Sequence, residues 1–235
     1  MKTSNFFERD AVTGPFLKEE EMIQKLKTSL PPKIFSEVGE HLTERYLSSC
    51  SFEDIRHHIE MTLELEKRPL LVEWEIEKEV RAKVTICTKD RYGLFAKIAG
   101  SMFLNRLNIL EAQIHTWGNG VALDIFRVED ATRELEHRLQ QFQMDLREIL
   151  SGTVALKALF SQRREMNSIH QKVIPGVPGE VKVDNLGSEF YTISEVTGED
   201  RLGILHEITQ ALTDHGCNIS FSRISTLGNR IVDVF

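Results

Sequence analysis

The chain has 235 residues, of which 41% are apolar and 28% are charged, and its formal net charge is −7. This composition is typical of a globular protein with a buried core, and it excludes collagen-like, disulfide-scaffold and wholly disordered chains. The acidity argues against nucleic-acid binding. The chain has no run of about 18 apolar residues, so the sequence predicts no membrane span. Three cysteines without CxxC spacing favour a reduced, cytoplasmic protein.

Helical patterns dominate residues 1–79, which hold 11 basic and 17 acidic side chains. Apolar residues over Leu17–Leu26 recur at helical spacing, and a second helix is expected over Ile34–Tyr46. Ser51, followed three residues later by Asp54, has the form of a helix-capping box. We therefore predict an acidic helical connector over residues 1–79.

Strand and helix patterns alternate after residue 79. A period of two over Val80–Thr88 predicts a half-buried strand, and Gly118-Asn119-Gly120 is a strong hairpin signal. The elements predicted after the first strand are a helix from Leu94 to about residues 105–107, strands over 109–117 and 121–128, helices over 131–150 and around 154–160, a surface crossing or disordered loop over Ser161–Gly179, and a short returning strand at Val181–Val183.

This unit occurs twice in the chain. A shift of 110 residues superposes Asp90, Arg91, Gly93, Asn108 and Ile109 on Asp200, Arg201, Gly203, Asn218 and Ile219. When one residue is deleted after the hairpin turn, Asp124-Ile125-Phe126 also superposes on Asp233-Val234-Phe235. The second copy begins near Phe190 and stops at Phe235, inside what should be its third strand, so we expect the chain to be a fragment of a longer protein.

The Asp-Arg-x-Gly turn of each copy is the candidate binding feature. It places free backbone amides and the positive end of a helix at the mouth of a sheet, where a carboxylate is stabilised. Asp90 or Asp200 beside the turn can hold an ammonium group, and Asn108 or Asn218 can supply an amide. Together these groups match a free amino acid. A purely structural interpretation stays open, in which Asp caps the helix and Gly supplies a special backbone angle.

Catalytic and metal-binding patterns are weak. The histidines do not share metal-ligand spacing, and there is no Gly-x-Ser-x-Gly nucleophile motif. Gly187-Ser188 lacks the paired aspartates that a nucleotidyl-transfer site needs to hold magnesium, and no Walker or Gly-x-Gly-x-x-Gly motif is present. We therefore predict no catalytic residues, no metal site and no cofactor for this chain.

The repeat unit resembles an ACT domain. The residues that carry this resemblance are Asp90–Ala99, Asn108–Thr116 and Ala122–Phe126. The pair resembles the tandem ACT domains at the carboxyl end of the bifunctional PII uridylyltransferase/uridylyl-removing enzymes. That narrower resemblance is carried by Val181–Asn185, by Ser225–Phe235, and by Leu30-Pro31-Pro32 with Tyr46–Ile55, which is similar to the helical connector of that family.

The resemblance implies an α+β fold with tandem ferredoxin-like βαββαβ domains, the second truncated. The implied boundaries are a helical connector over 1–79, a first ACT domain over 80–185, and the βαββ part of a second over 190–235. It also implies glutamine sensing that controls the uridylylation state of the PII protein in nitrogen regulation. The nucleotidyltransferase and hydrolase domains, with their magnesium, would lie outside this chain.

By the same resemblance, a set of ligand contacts falls on the two turns and on the strands that follow. These residues are Asp90, Arg91, Gly93, Leu94, Asn108, Ile109, Asp200, Arg201, Gly203, Ile204, Asn218 and Ile219.

Two other functions stay open at this point. Exposed strand edges favour an ACT-type module that dimerises or assembles without a small ligand. The chain can also be the regulatory ACT fragment of another amino-acid-controlled enzyme, although the connector argues against that alternative.

Overall fold

The computed structural model describes residues 19–166, 179–188 and 191–235. Leu17, residues 167–178 of the predicted crossing, and Phe190 lie outside the described residues. The chain divides into two compact units, residues 1–60 and residues 61–235. Within the described ranges, no helix combines the length and the apolar character needed to cross a membrane.

The unit of residues 1–60 is built from short helices. They are α1 (Glu19–Ser29), α2 (Pro32–Glu37), a 3-10 turn (Gly39–His41), α3 (Glu44–Leu47) and the start of α4 (Phe52–Glu64). Met22, Leu26 and Tyr46 are buried there, and the Tyr46 hydroxyl lies 2.7 Å from Nδ1 of His58. This buried polar pair satisfies two groups that would otherwise be costly to remove from water.

The capping box predicted at Ser51 is confirmed. The backbone amide of Asp54 donates to Ser51 Oγ at 3.1 Å, and the Ser51 hydroxyl donates to the Asp54 carboxylate at 2.7 Å. The single helix predicted over Ile34–Tyr46 is wrong. The chain leaves the helix at Val38, where glycine follows, and Thr43 accepts a hydrogen bond that caps a new helix.

The unit of residues 61–235 is organised on one antiparallel sheet in the order β1-β2-β4-β3-β7-β8-β6-β5. Its strands are β1 (Leu70–Lys78), β2 (Arg81–Lys89), β3 (Asn108–Thr116), β4 (Val121–Glu129), β5 (Glu180–Asp184), β6 (Ile193–Glu199), β7 (Phe221–Leu227) and β8 (Arg230–Val234). Its helices beyond α4 are α5 (Leu94–Leu104), α6 (Leu135–Ser151), α7 (Leu156–Met166) and α8 (Ile204–Asp214). The fold is thus α+β and of the ACT type, as predicted.

The two copies of the repeat lie side by side. Strands β3 and β7 pair antiparallel, with Ala112 opposite Ile224 and Ile114 opposite Ser222, so the sheet continues from one copy into the other. Helix α5 packs on α8. One apolar core runs through both copies, because Ile224 and Leu205 of the second copy belong to the same buried cluster as Ile98 of the first.

The edge strands differ from the prediction. Leu70–Lys78 forms a strand, although these residues were assigned to the helical connector predicted over 1–79, because three buried residues lead into an alternation of Glu with Trp74 and Ile76. The strand at Val181–Val183 exists but pairs with β6, so the prediction that it returns to the first copy is wrong. Strand β1 already occupies that place beside β2. Short hairpin connections form more readily than long-range pairings. The domain boundaries themselves stay predictions.

Candidate functional site

The two Asp-Arg-x-Gly turns have the same backbone geometry. Gly93 and Gly203 adopt left-handed φ angles of 70° and 89° at the starts of α5 and α8. The amide of Asp90 donates to the Gly120 carbonyl at 2.9 Å, and the amide of Asp200 makes the equivalent bond to Asn229 at 2.8 Å. Because a residue with a side chain rarely adopts this φ, the glycine of each turn is required by its geometry.

Each turn meets the asparagine of the other copy. Strands β2 and β3 both pair antiparallel with β4, so they are parallel, and Asn108 at the start of β3 lies at the end of the sheet opposite to Asp90. The antiparallel pairing of β3 with β7 brings Asn218 to the first turn and Asn108 to the second. The Asn108 side-chain amide donates to Asp200 at 3.4 Å. Each candidate site is therefore composed of groups from both copies. The repeat in the sequence did not predict this arrangement.

The first cleft is formed by the first turn and by the residues before β7. Six predicted residues line it: Asp90, Arg91, Gly93, Leu94, Asn218 and Ile219. Strands β3 and β4 supply its floor with Ile114, Thr116, Ala122 and Asp124. Its water-accessible interior is about 20 Å³, which is room for a water molecule but not for an amino acid. A ligand of that size has to separate the walls.

The second cleft is formed by the second turn and the start of β3. Five predicted residues line it: Asn108, Ile109, Arg201, Gly203 and Ile204. Aromatic and aliphatic side chains, Phe103, Leu107 and His206, complete the lining, and the water-accessible interior is about 10 Å³. Asp200 is bonded to Asn108 beside this cleft, and burial raises the pKa of its carboxyl.

The two arginines of the turns are engaged with protein groups. Arg91 Nη1 donates to the Leu150 carbonyl at 2.6 Å, which ties the first turn to the end of α6. Arg201 Nη1 donates to Glu207 at 2.7 Å, and this ion pair raises the pKa of the arginine and lowers that of the glutamate. Each guanidinium is thus held in place by a protein partner, and the positive end of the helix that follows each turn also favours an anionic group.

Two buried aspartates were not predicted as site residues. Asp124 on β4 is 1% exposed and Asp233 on β8 is 0% exposed. Within the described ranges, Asp124 Oδ1 and Asp233 Oδ2 have no hydrogen-bond partner. Burial raises the pKa of Asp233 to about 7 and that of Asp124 well above its usual range. The sequence held a signal for them, because an aspartate stands at the same place among apolar residues in both copies.

Comparisons with known proteins agree with these observations. The sequence profile of the ACT domain family matches residues 192–235. The chain is 42% identical over 158 residues to the bifunctional uridylyltransferase/uridylyl-removing enzyme of Rhodospirillum rubrum, covering 66% of this chain and 17% of that protein. Enzymes of the same name are 35% identical over 175 residues in Azospirillum brasilense, covering 72% and 19%, and 30% identical over 200 residues in Caulobacter vibrioides, covering 81% and 20%.

The chain thus spans no more than about a fifth of the length of these relatives. The resemblance stated from the sequence is confirmed: the chain is homologous to a region of the bifunctional uridylyltransferase/uridylyl-removing enzymes, and it carries an ACT domain.

Proposed function

We propose that this chain is the amino-acid-sensing region of a PII uridylyltransferase/uridylyl-removing enzyme, with glutamine as its ligand. One observation carries the proposal: the β3–β7 pairing sets the Asp-Arg-x-Gly turn of each copy against the asparagine of the other. A ligand in a cleft made by both copies acts on how the two copies are arranged. A sensor requires this coupling between ligand binding and the arrangement of its parts. The enzyme class in this proposal is that of the homologous enzymes.

A ligand that bridges the two copies acts by population shift. Its carboxylate fits the amide groups at the start of a helix, and its side-chain amide fits Asn218 or Asn108. Because these groups belong to different copies, glutamine binds most tightly to the arrangement that brings them together. Occupancy then favours that arrangement by the difference in affinity, and the catalytic domains respond to it.

In this proposal the region is regulatory and does not catalyse the reaction. PII is then a partner of the whole enzyme, which works in the cytoplasm, and magnesium is a cofactor of catalytic domains elsewhere. Incubation of the 235-residue chain with PII and labelled UTP tests this directly. We expect no transfer of label, and transfer that depends on this chain would overturn the regulatory assignment.

Calorimetry on the 235-residue chain tests the ligand. We expect saturable binding of glutamine and weaker binding of glutamate, because glutamate lacks the amide that pairs with asparagine. Asn218→Ala should weaken glutamine binding by about tenfold, the order expected for losing one hydrogen bond to the ligand. Gln140→Ala, on the exposed side of α6, is the matched amide control and should bind as the parent does. Absence of glutamine binding by the folded chain would refute glutamine sensing.

An assembly function is the alternative that one observation favours. Strand β5 is at the edge of the sheet, and its Val181 and Val183 are 63% and 60% exposed. Such an edge can pair with a second copy to form a homodimer. Light scattering with and without glutamine separates the two functions, because a dimer that forms equally in both conditions supports assembly without a ligand.

A further inference from the structure

The two composite clefts differ in how they are filled. In the second cleft Phe103 and His206 meet, with ring centroids 6.4 Å apart, and Phe160 lies 5.3 Å from the same imidazole. A Cβ atom added to Gly203 would come within 2.8 Å of the Phe103 ring. Aromatic packing therefore occupies the space against the second turn, where a ligand would have to lie.

The first cleft has small residues at the equivalent positions. Thr213 takes the place of Phe103, and Ala96 takes the place of His206. The Thr213 methyl group lies 3.1 Å from the position of a Cβ on Gly93. The Tyr92 hydroxyl donates to the Thr213 carbonyl, which joins the first turn to this end of α8. A small displacement of this end of α8 would open the first cleft, whereas the second cleft would have to expel a cluster of rings.

Asp124 distinguishes the first cleft further. Its side chain lies in the floor of that cleft, and its Oδ1 has no hydrogen-bond partner among residues 19–166, 179–188 and 191–235. The residues that line the second cleft do not include the equivalent Asp233. A buried carboxyl oxygen without a partner is costly, and a positively charged donor favours the ionised form of Asp124, so this group gains most from a ligand that brings such a donor while the carboxyl proton leaves to solvent.

The first cleft is also dipolar. Asp90 adds a second carboxylate, close enough to Asp124 to raise the pKa of Asp124, and Leu94, Phe95 and Ala96 at the start of the 11-residue helix α5 line the same space. An ammonium group is favoured at the aspartates, and a carboxylate is favoured at the helix start. A zwitterionic α-amino acid carries both charges at the separation of two bonds, so it satisfies both ends of the cleft together.

We propose that the first cleft is the ligand site and that Asp124 accepts the hydrogen bond of the ligand's α-ammonium group. This inference rests on the proposed function, because it assigns the amino acid to one cleft and one anchoring residue. It moves the ammonium contact from Asp90, predicted from the sequence, to the buried aspartate beneath it. The second cleft is then a packing joint between the copies.

Paired isosteric variants of the 235-residue chain test the proposal. Asp124→Asn should weaken glutamine binding by at least about tenfold, since an amide cannot neutralise an ammonium group. Asp233→Asn, the equivalent change in the other copy, should leave the dissociation constant within about twofold. Thermal melts should show both variants folded, because an uncharged amide replaces a buried carboxylate in each.

A second probe reports on the ammonium contact itself. The analogue 4-carbamoylbutanoate is glutamine without its amino group, and the parent chain should bind it at least about tenfold more weakly than glutamine. In Asp124→Asn this preference should disappear. Thr213→Phe, which copies the residue that fills the second cleft, should abolish binding while Phe103 remains in place.

The outcomes separate the two proposals. If the parent chain binds no glutamine, the proposed function fails and this inference fails with it. If the parent binds glutamine but Asp124→Asn binds equally well and keeps its preference over the analogue, the proposed function stands and the role of Asp124 is refuted. Loss of binding in Asp233→Asn instead would assign the ligand to the second copy's turn and overturn the inference.

Discussion

The buried carboxylates show how a single residue can set the pH response of this fold. Asp233 is 0% exposed, and its Oδ1 accepts a 3.4 Å hydrogen bond from the Ser225 amide. Burial, together with the charge of Asp200, raises its pKa to about 7. The folded chain therefore holds a proton at this site at pH values where an unfolded aspartate, with a pKa near 3.9, has lost it.

This difference makes stability fall as pH rises. Below about pH 4 Asp233 is protonated in both states and has no effect. Between about pH 4 and 7 the unfolded state alone loses the proton, so unfolding becomes easier, and the full penalty of about 4 kcal/mol applies above pH 7. Asp233→Asn should remove this dependence, so its gain in unfolding free energy over the parent should grow from pH 4 to 7.5.

Urea denaturation at several pH values measures that gain. Asp214→Asn is the matched control, because Asp214 is exposed on α8 and should not change the pH profile. A constant difference between Asp233→Asn and the parent across this range would contradict the assigned titration.

At the scale of elements, one arginine joins three helices of the first copy. Arg163 on α7 makes two hydrogen bonds to Asp145 on α6, at 2.9 and 2.8 Å, and a third at 3.2 Å to Asn105 beyond α5. The Asp145 side chain is only 5% exposed, so its oxygens depend on these partners to replace their hydrogen bonds to water. The guanidinium reaches Asp145 through Nη2 and Asn105 through Nη1 at the same time, which the single nitrogen of a lysine cannot reproduce.

Removal of Arg163 should lower the unfolding free energy. Arg163→Ala leaves the Asp145 carboxylate buried without its cation, which we expect to cost about 3 kcal/mol of unfolding free energy, and Arg163→Lys should recover only part of it. Arg56→Ala is the control, because its ion pairs with Glu53 and Glu60 are exposed and worth about 0.5 kcal/mol. Equal losses for Arg163→Ala and Arg56→Ala would show that the network is not stabilising.

At the scale of the whole molecule, the two copies share one sheet and one core, so we expect them to unfold together. Ile224 is 3% exposed on β7 and packs in the cluster that includes first-copy residues. Ile224→Ala should cost about 2–4 kcal/mol and should lower the hydrogen-exchange protection of β3 as well as β7.

Leu227→Ala is the matched control on the same strand, because Leu227 is 66% exposed, and its effect should stay within about 0.5 kcal/mol. If Ile224→Ala lowers protection only within the second copy, the copies are independent folding units.

The sequence predicted what depends on local patterns and missed what depends on pairing between distant segments. The period of two and the wide apolar face predicted β2 and α5, and the repeat predicted that both turns share one geometry. No local pattern states which asparagine faces which aspartate, because that follows from the β3–β7 register. Strand β1 was missed because its glutamates resemble those of the acidic helical segment before it. The sequence signal for Asp124 was only that an aspartate recurs at this place in the apolar strand of both copies.

The position of β1 has a consequence for how the protein is made. In the described sheet, the four neighbouring strands β1, β2, β4 and β3 all lie within residues 70–129. If the first copy depended on a returning strand near residue 180, one edge of β2 would stay unpaired while about fifty more residues were synthesised. Pairing with the preceding strand lowers the sequence separation of contacts, which favours fast folding, and it covers the β2 edge before the second copy emerges from the ribosome.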